Sequence, residues 1–161
     1  MQELNGASRD ESLLVEAILT ASRALVAIAA RSLGEVGQDI TLPQYRTLVL
    51  LASRGPTKLA DLATALGVHP ATATRMCDRL LRKGLIERKS HSGDRRQVEI
   101  TLTVSGIALL AQVSRLRRAE IAAIAAKLPN EVLDALISTL VSFSDAAGEI
   151  PDRDWSSGWP I

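Results

Sequence analysis

The chain has 161 residues, a formal net charge of +1 and 47% hydrophobic residues, but only four aromatics: Tyr45, Phe143, Trp155 and Trp159. This length suits one domain with its own core. Near neutrality excludes a protein that is basic throughout, and a single cysteine, Cys77, excludes both an internal disulfide and a cysteine-cluster metal site. Ala and Leu together supply 47 residues. Both are strong helix formers, and an aliphatic core this short of rings suits completion by a second subunit.

The N-terminal run MQELNGASRDES is polar and has no basic region leading into an apolar stretch, so a cytoplasmic setting is expected. The most apolar segment, Leu13–Leu33, carries Glu16, Arg23 and Arg31. A bilayer span needs about 20 apolar residues with few charges, so the segment reads as a protein-buried or dimer helix over 11–33, with no membrane partner. After the loop Gly34–Ile40, Thr41 and Gln44 have capping-box spacing and Pro43 sits early in the following helix. This helix is apolar nearly all round and ends at Ser53-Arg54-Gly55-Pro56.

A third helix is expected over 59–66, where Leu59, Leu62, Ala63 and Leu66 share a face. Gly67-Val68-His69 forms a tight link to Pro70, which opens a fourth helix running to Lys83. Leu85-Ile86-Glu87-Arg88, the turn Ser90–Asp94 and the alternating Val98, Ile100 and Leu102 then read as a β-hairpin with a charged tip. Helices over 104–127 and 131–147 follow, broken by Leu128-Pro129-Asn130, and an irregular tail covers 149–161. Leu133, Leu136, Ile137 and Leu140 line one face of the last helix.

This order is that of a winged helix-turn-helix. The expected fold is therefore mostly α with a small β-hairpin wing: a winged helix-turn-helix lobe over 41–103, a helical dimerisation region from 11–33 and 104–147, and the tail. On the fourth helix Ala73, Met76, Cys77 and Leu80 share an inward face, which makes Cys77 a buried small hydrophobe. Ala71, Thr72, Thr74, Arg75, Asp78, Arg79 and Arg82 face outward. Small residues admit close approach to base edges, and Thr and Arg supply hydrogen bonds to bases or phosphates. From His69 to Arg96 eight bases meet three acids, a window of +5, while the rest of the chain is −4. A basic segment on an acidic body is the electrostatic footprint of a nucleic-acid reader.

The run Leu66–Arg75, then Asp78-Arg79-Leu80, Lys83–Arg88, Gly93-Asp94-Arg95-Arg96 and Leu102-Thr103-Val104-Ser105-Gly106 resembles the MarR (multiple antibiotic resistance regulator) family in order and spacing. The resemblance implies a homodimeric transcription factor on double-stranded DNA, a repressor released from a pseudo-palindromic operator by a small aromatic or anionic ligand. Position by position it implies recognition-helix contacts at Pro70, Ala71, Thr72, Thr74, Arg75 and Arg79. It also implies a wing-tip pair, Asp94 and Arg96, with Arg96 entering the minor groove. Adjacent basic and polar positions, His69, Arg82 and Arg95, complete the expected DNA surface. His69 stands where the family often has Ser or another small cap, which questions its helix-capping role. No cofactor or metal is expected, since His69 and His91 are too few and too separated for a metal site. No phosphate-binding loop or catalytic motif points to an enzyme. The competing interpretation is a winged-helix protein-interaction module that does not read DNA; acids or bulky apolar residues on the outer face of 70–82 would favour it.

Overall fold

The computed structural model describes residues 2–37, 39–91 and 94–156. Its elements run α1 (Gln2–Val36), α2 (Leu42–Arg54), β1 (Thr57–Lys58), α3 (Leu59–Leu66), α4 (Pro70–Arg82), β2 (Ile86–His91), β3 (Asp94–Leu102), α5 (Val104–Ala125), α6 (Asn130–Ala146) and α7 (Asp152–Ser156). The fold is mostly helical with a small antiparallel sheet of order β1-β3-β2.

Local chemistry sets most boundaries. Thr41 and Gln44 close the full capping box of α2: the Thr41 hydroxyl accepts from the Gln44 amide, and the Gln44 side chain accepts from the Thr41 amide at 3.0 Å. Gly67, at φ +64°, ends α3 in the left-handed conformation that permits the sharp turn into α4. Thr103 caps α5 by accepting from the Gly106 amide, and its hydroxyl donates to the Gly84 carbonyl at 2.6 Å. Gly106 itself lies against the turn after α4, where an added Cβ would fall 2.1 Å from the Leu85 carbonyl oxygen. The Leu-Thr-x-x-Gly run is thus a packing joint between α5 and the start of the wing.

The core is built from α2, α3, α4, the sheet and the first half of α5. Leu48, Leu62, Cys77, Leu80, Ile100, Leu110 and Val113 meet there. The buried Thr47 and Ser32 hydroxyls donate to the carbonyls of Pro43 and Ile28, each at 2.9 Å, which satisfies their polarity within the helices. Among the described side chains of α1, those buried lie near its C-terminal end, Ile28, Ala29, Ser32 and Leu33, and Arg31 pairs with Glu120 of α5. Its earlier turns leave Leu13, Leu14, Val15 and Leu19 exposed, and no residue of α6 is buried.

Three local features differ from the sequence expectation. α1 starts well before residue 11. β1, two residues long, pairs Thr57 with Ile100 and Lys58 with Glu99; so short a strand has no periodicity to betray it. The tail is not wholly irregular, since Asp152–Ser156 forms a helical turn. By length and composition the stretch Asp10–Val36 could cross a membrane, since an 18-residue window within it has mean hydropathy 1.9. A dimer helix with an uncovered apolar face has the same composition.

Candidate nucleic-acid interface

α4 is strongly two-faced. Ala73, Cys77 and Leu80 have no exposed surface, while Ala71, Arg75, Asp78, Arg79 and Arg82 are exposed and Thr72 and Thr74 half-buried. Burial pushes the Cys77 thiol up to about 11, against a lowering by Arg88 and with a smaller rise from Asp78. The thiol therefore stays protonated at neutral pH, as a packing residue should.

The N-terminus of α4 carries His69, Pro70 and Ala71. His69 is the N-cap: its Nδ1 accepts from the Ala71 amide at 3.3 Å. The capping role put in question by the His-for-Ser difference is thus kept by the ring nitrogen. That acceptor geometry requires the tautomer with hydrogen on Nε2. Pro70 fills the first helical position, and no acid occupies the first turn, so the positive end of the helix dipole is not cancelled locally.

Farther along, Arg75 donates to the Thr72 hydroxyl oxygen at 3.3 Å, which lays the guanidinium along the outer face. Thr74 donates back to the Pro70 carbonyl at 2.9 Å, leaving its oxygen to accept and its methyl to make apolar contact. Asp78, the one acid on this face, is paired at 2.9 Å with Arg88 of β2. This ion pair, not evident from sequence, ties the wing to α4 and offsets the charge an anionic ligand would meet. A shallow concavity of about 540 Å³ runs along Arg75, Asp78, Arg79, Leu81 and Arg82.

In the wing, β2 and β3 pair from Ile86↔Leu102 to Ser90↔Val98, with an irregularity before His91↔Asp94. Asp94, Arg95 and Arg96 fall on β3 at the tip end; their side chains lie outside the described residues, as do Gly93 and Trp159. Among the described residues, no cluster of three or more His, Cys, Asp or Glu could hold a metal ion.

A second polar feature, missed in the sequence, lies between α2 and α5. The Arg117 guanidinium sits 5.8 Å from the centre of the Tyr45 ring and donates from Nη1 to the Tyr45 hydroxyl at 3.3 Å. Its Nε is buried without a hydrogen-bond partner. The one usable signal was Tyr45 itself, a lone tyrosine on a buried helix whose hydroxyl needs a partner.

A capped helix with an apolar inner face and a basic outer face, followed by a hairpin tied to it by an ion pair, defines the winged helix-turn-helix class. The MarR family model matches residues 40–98. The chain is similar to RV1404 from Mycobacterium tuberculosis, whose crystal structure it matches at 44% identity and a TM-score of 0.82, covering 88% of this chain and 97% of that one. The chain belongs to the MarR family of winged helix-turn-helix transcriptional regulators. It is also similar to the HTH-type transcriptional repressor NicR of Pseudomonas putida, with 39% identity over 72 residues, 45% of this chain and 46% of that protein. The chain spans about half the length of the curated relatives it matches. The fold is shared with MepR of S. aureus, of which a mutant has been solved bound to an oligodeoxyribonucleotide (24% identity, TM-score 0.59, covering 81% of this chain and 94% of that one) and which has also been solved bound to ethidium bromide.

Proposed function

We propose that this chain is a cytoplasmic, homodimeric, sequence-specific DNA-binding regulator: a repressor that leaves a pseudo-palindromic operator when a small aromatic or anionic ligand binds. The observation that carries the proposal is the exposed face of α4, where Arg75, Arg79 and Arg82 stand on a helix whose other face buries Ala73, Cys77 and Leu80. That helix enters the major groove with Pro70, Ala71, Thr72, Thr74, Arg75 and Arg79 at the bases or sugar-phosphate, and with His69 and Arg82 on phosphate. The wing supplies Asp94, Arg95 and Arg96 to the flanking minor groove, whose negative potential favours Arg. The NicR name and the MepR–oligodeoxyribonucleotide complex support the same activity. The outer face of α4 carries a single acid, Asp78, already paired with Arg88, and not the run of acids or bulky apolar residues that a purely protein-binding winged helix would favour.

The exposed apolar faces of α1 and α6, with Leu13, Leu14, Leu136, Ile137 and Leu140, form the dimer interface. Residues 11–33 and 104–147 are then the dimerisation region and 41–103 the DNA-binding lobe. The ligand part of the proposal rests on Arg117, whose unpartnered Nε beside Tyr45 suits a carboxylate on an aromatic ring.

Selection of bound duplexes from a random pool, followed by anisotropy titration, tests the proposal. The selected sites should contain two half-sites about one helical turn apart. Arg75→Ala and Arg96→Ala should each cost about 1–3 kcal/mol of operator binding. Unchanged affinity for both variants, or selection of a single unpaired half-site, would count decisively against it. An aromatic carboxylate that raises the melting temperature should also lower DNA affinity, and Arg117→Met should abolish both effects.

A further inference from the structure

The C-terminal elbow, residues 148–156, connects two parts of the molecule that otherwise touch little. α6 leads into it, and none of the residues of α6 is buried in its own chain. At its end Gly148 takes φ +71°, and the Gly148 and Glu149 amides close onto the Asp145 and Ser144 carbonyls, each at 3.0 Å. This turn directs Glu149 back to α2. There the Glu149 carboxylate accepts both terminal nitrogens of Arg46, one of them at 2.8 Å, in a two-pronged pair. The elbow is then held along its length. Arg118 of α5 reaches Asp152 at 3.5 Å, the Trp155 indole donates to the Ile150 carbonyl at 3.2 Å, and α7 packs on α2.

Behind the elbow lies an open cavity of about 510 Å³, bordered by Arg118, Leu140, Val141, Ser144 and Ile150. The elbow is therefore not backed there by close-packed side chains, and its polar contacts matter more to its position. Arg46 neighbours Tyr45 on α2, the helix that packs on α3 and α4 and so sets where the outer face of α4 stands.

We propose that the elbow is a joint through which α6 sets the orientation of the winged helix-turn-helix lobe, with Arg46 and Glu149 as its positioning pair. A paired carboxylate and guanidinium with two parallel bonds fixes direction as well as distance. Movement of α6 is thereby passed to α2 as rotation of the lobe. The inference rests on the proposed DNA-binding function only for its final consequence, that loosening the joint weakens operator binding.

The test uses the full chain with spin labels at Ala60→Cys on α3 and Ser138→Cys on α6, diluted with unlabelled protein so that only distances within one chain are read. Cys77 is buried and stays in place. The parent should give a narrow distance distribution. Arg46→Met and Glu149→Ala should broaden it equally, and the double variant should broaden it no further, because both remove one interaction. Arg54→Met, which removes a charge near Glu149 but not the two-pronged pair, should leave it narrow. Operator affinity should fall about threefold to tenfold in the two broadening variants. The joint is overturned by a narrow distribution in both single variants, by equal broadening in Arg54→Met, or by unchanged affinity in broadened variants of a parent that binds DNA. A parent that binds no duplex removes the proposed function instead, and the distances alone then decide the joint.

Discussion

At the residue scale, the informative positions are those where one atom excludes or demands another. Gly106 is such a position: a methyl there would meet the Leu85 carbonyl oxygen at 2.1 Å, and backbone cannot swing aside as a flexible side chain could. Gly106→Ala is expected to cost about 1–3 kcal/mol of stability, read from urea denaturation; a variant as stable as the parent would show that α5 can shift without loss. The glycine was legible in sequence only as part of a motif, because its crowding comes from a residue 21 positions earlier in the chain. His69 shows the opposite case. Its capping role was open from sequence because imidazole is an uncommon cap, and the placement of Nδ1 against the Ala71 amide resolved it. Cys77 was readable from its helical phase alone, and burial keeps its thiol protonated.

At the element scale, the helices followed their patterns closely where one face is buried, as in α3 and α4. α6 has the same pattern without burial, exposing Leu136, Ile137, Leu140 and Phe143. A contiguous apolar face on a helix with no buried residue calls for a cover, and a second copy supplies it in the proposed dimer. Ile137→Asp should therefore shift the monomer–dimer equilibrium toward monomer by about 2 kcal/mol or more, since a charge would enter an apolar interface. Sedimentation velocity would measure this; a dimer of parental affinity would place the interface elsewhere. The elbow after α6 makes its own prediction. Glu149 is held below the usual glutamate value, chiefly by its hydrogen bonds to Arg46 against a smaller opposing effect of burial, with further lowering from the Arg46 and Arg54 charges. A carboxylate whose folded value is depressed contributes stability above its unfolded value and loses it as pH falls through the folded one. In a Trp159→Phe background, Trp155 emission should stay constant from neutral pH into the ordinary glutamate range and move to the red only below it. Glu149→Ala should lack that step, and a shift already complete at mildly acidic pH would contradict the pairing. Because both partners are about two-fifths exposed, at 41% and 44%, the pair orients the elbow more than it stabilises the fold.

At the scale of the whole molecule, the near-zero net charge conceals a separation: +5 over residues 69–96 against −4 elsewhere. If α4 and the wing neutralise phosphates, operator affinity should fall steeply with salt. Each phosphate-contacting arginine should contribute about 0.9 to the slope of log K against log salt concentration. Arg82→Ala should flatten the slope by about that amount in each subunit, whereas a variant with an unchanged slope would take Arg82 off the phosphate surface. The acidic remainder disfavours approach of DNA from the other side.

The sequence by itself determined the order of the six longer helices and the wing hairpin, the two-faced α4 and the basic window, because helix phase, capping residues and charge are local properties of the chain. The distant pairings were decided only by the tertiary structure: Asp78 with Arg88, Tyr45 with Arg117, and Arg46 with Glu149. Each joins residues on different elements, and no periodicity or spacing records which elements meet. The tail shows the division most plainly. Its composition reads as irregular, and it is the return of the chain onto α2 that orders Asp152–Ser156 and gives Glu149 its partner.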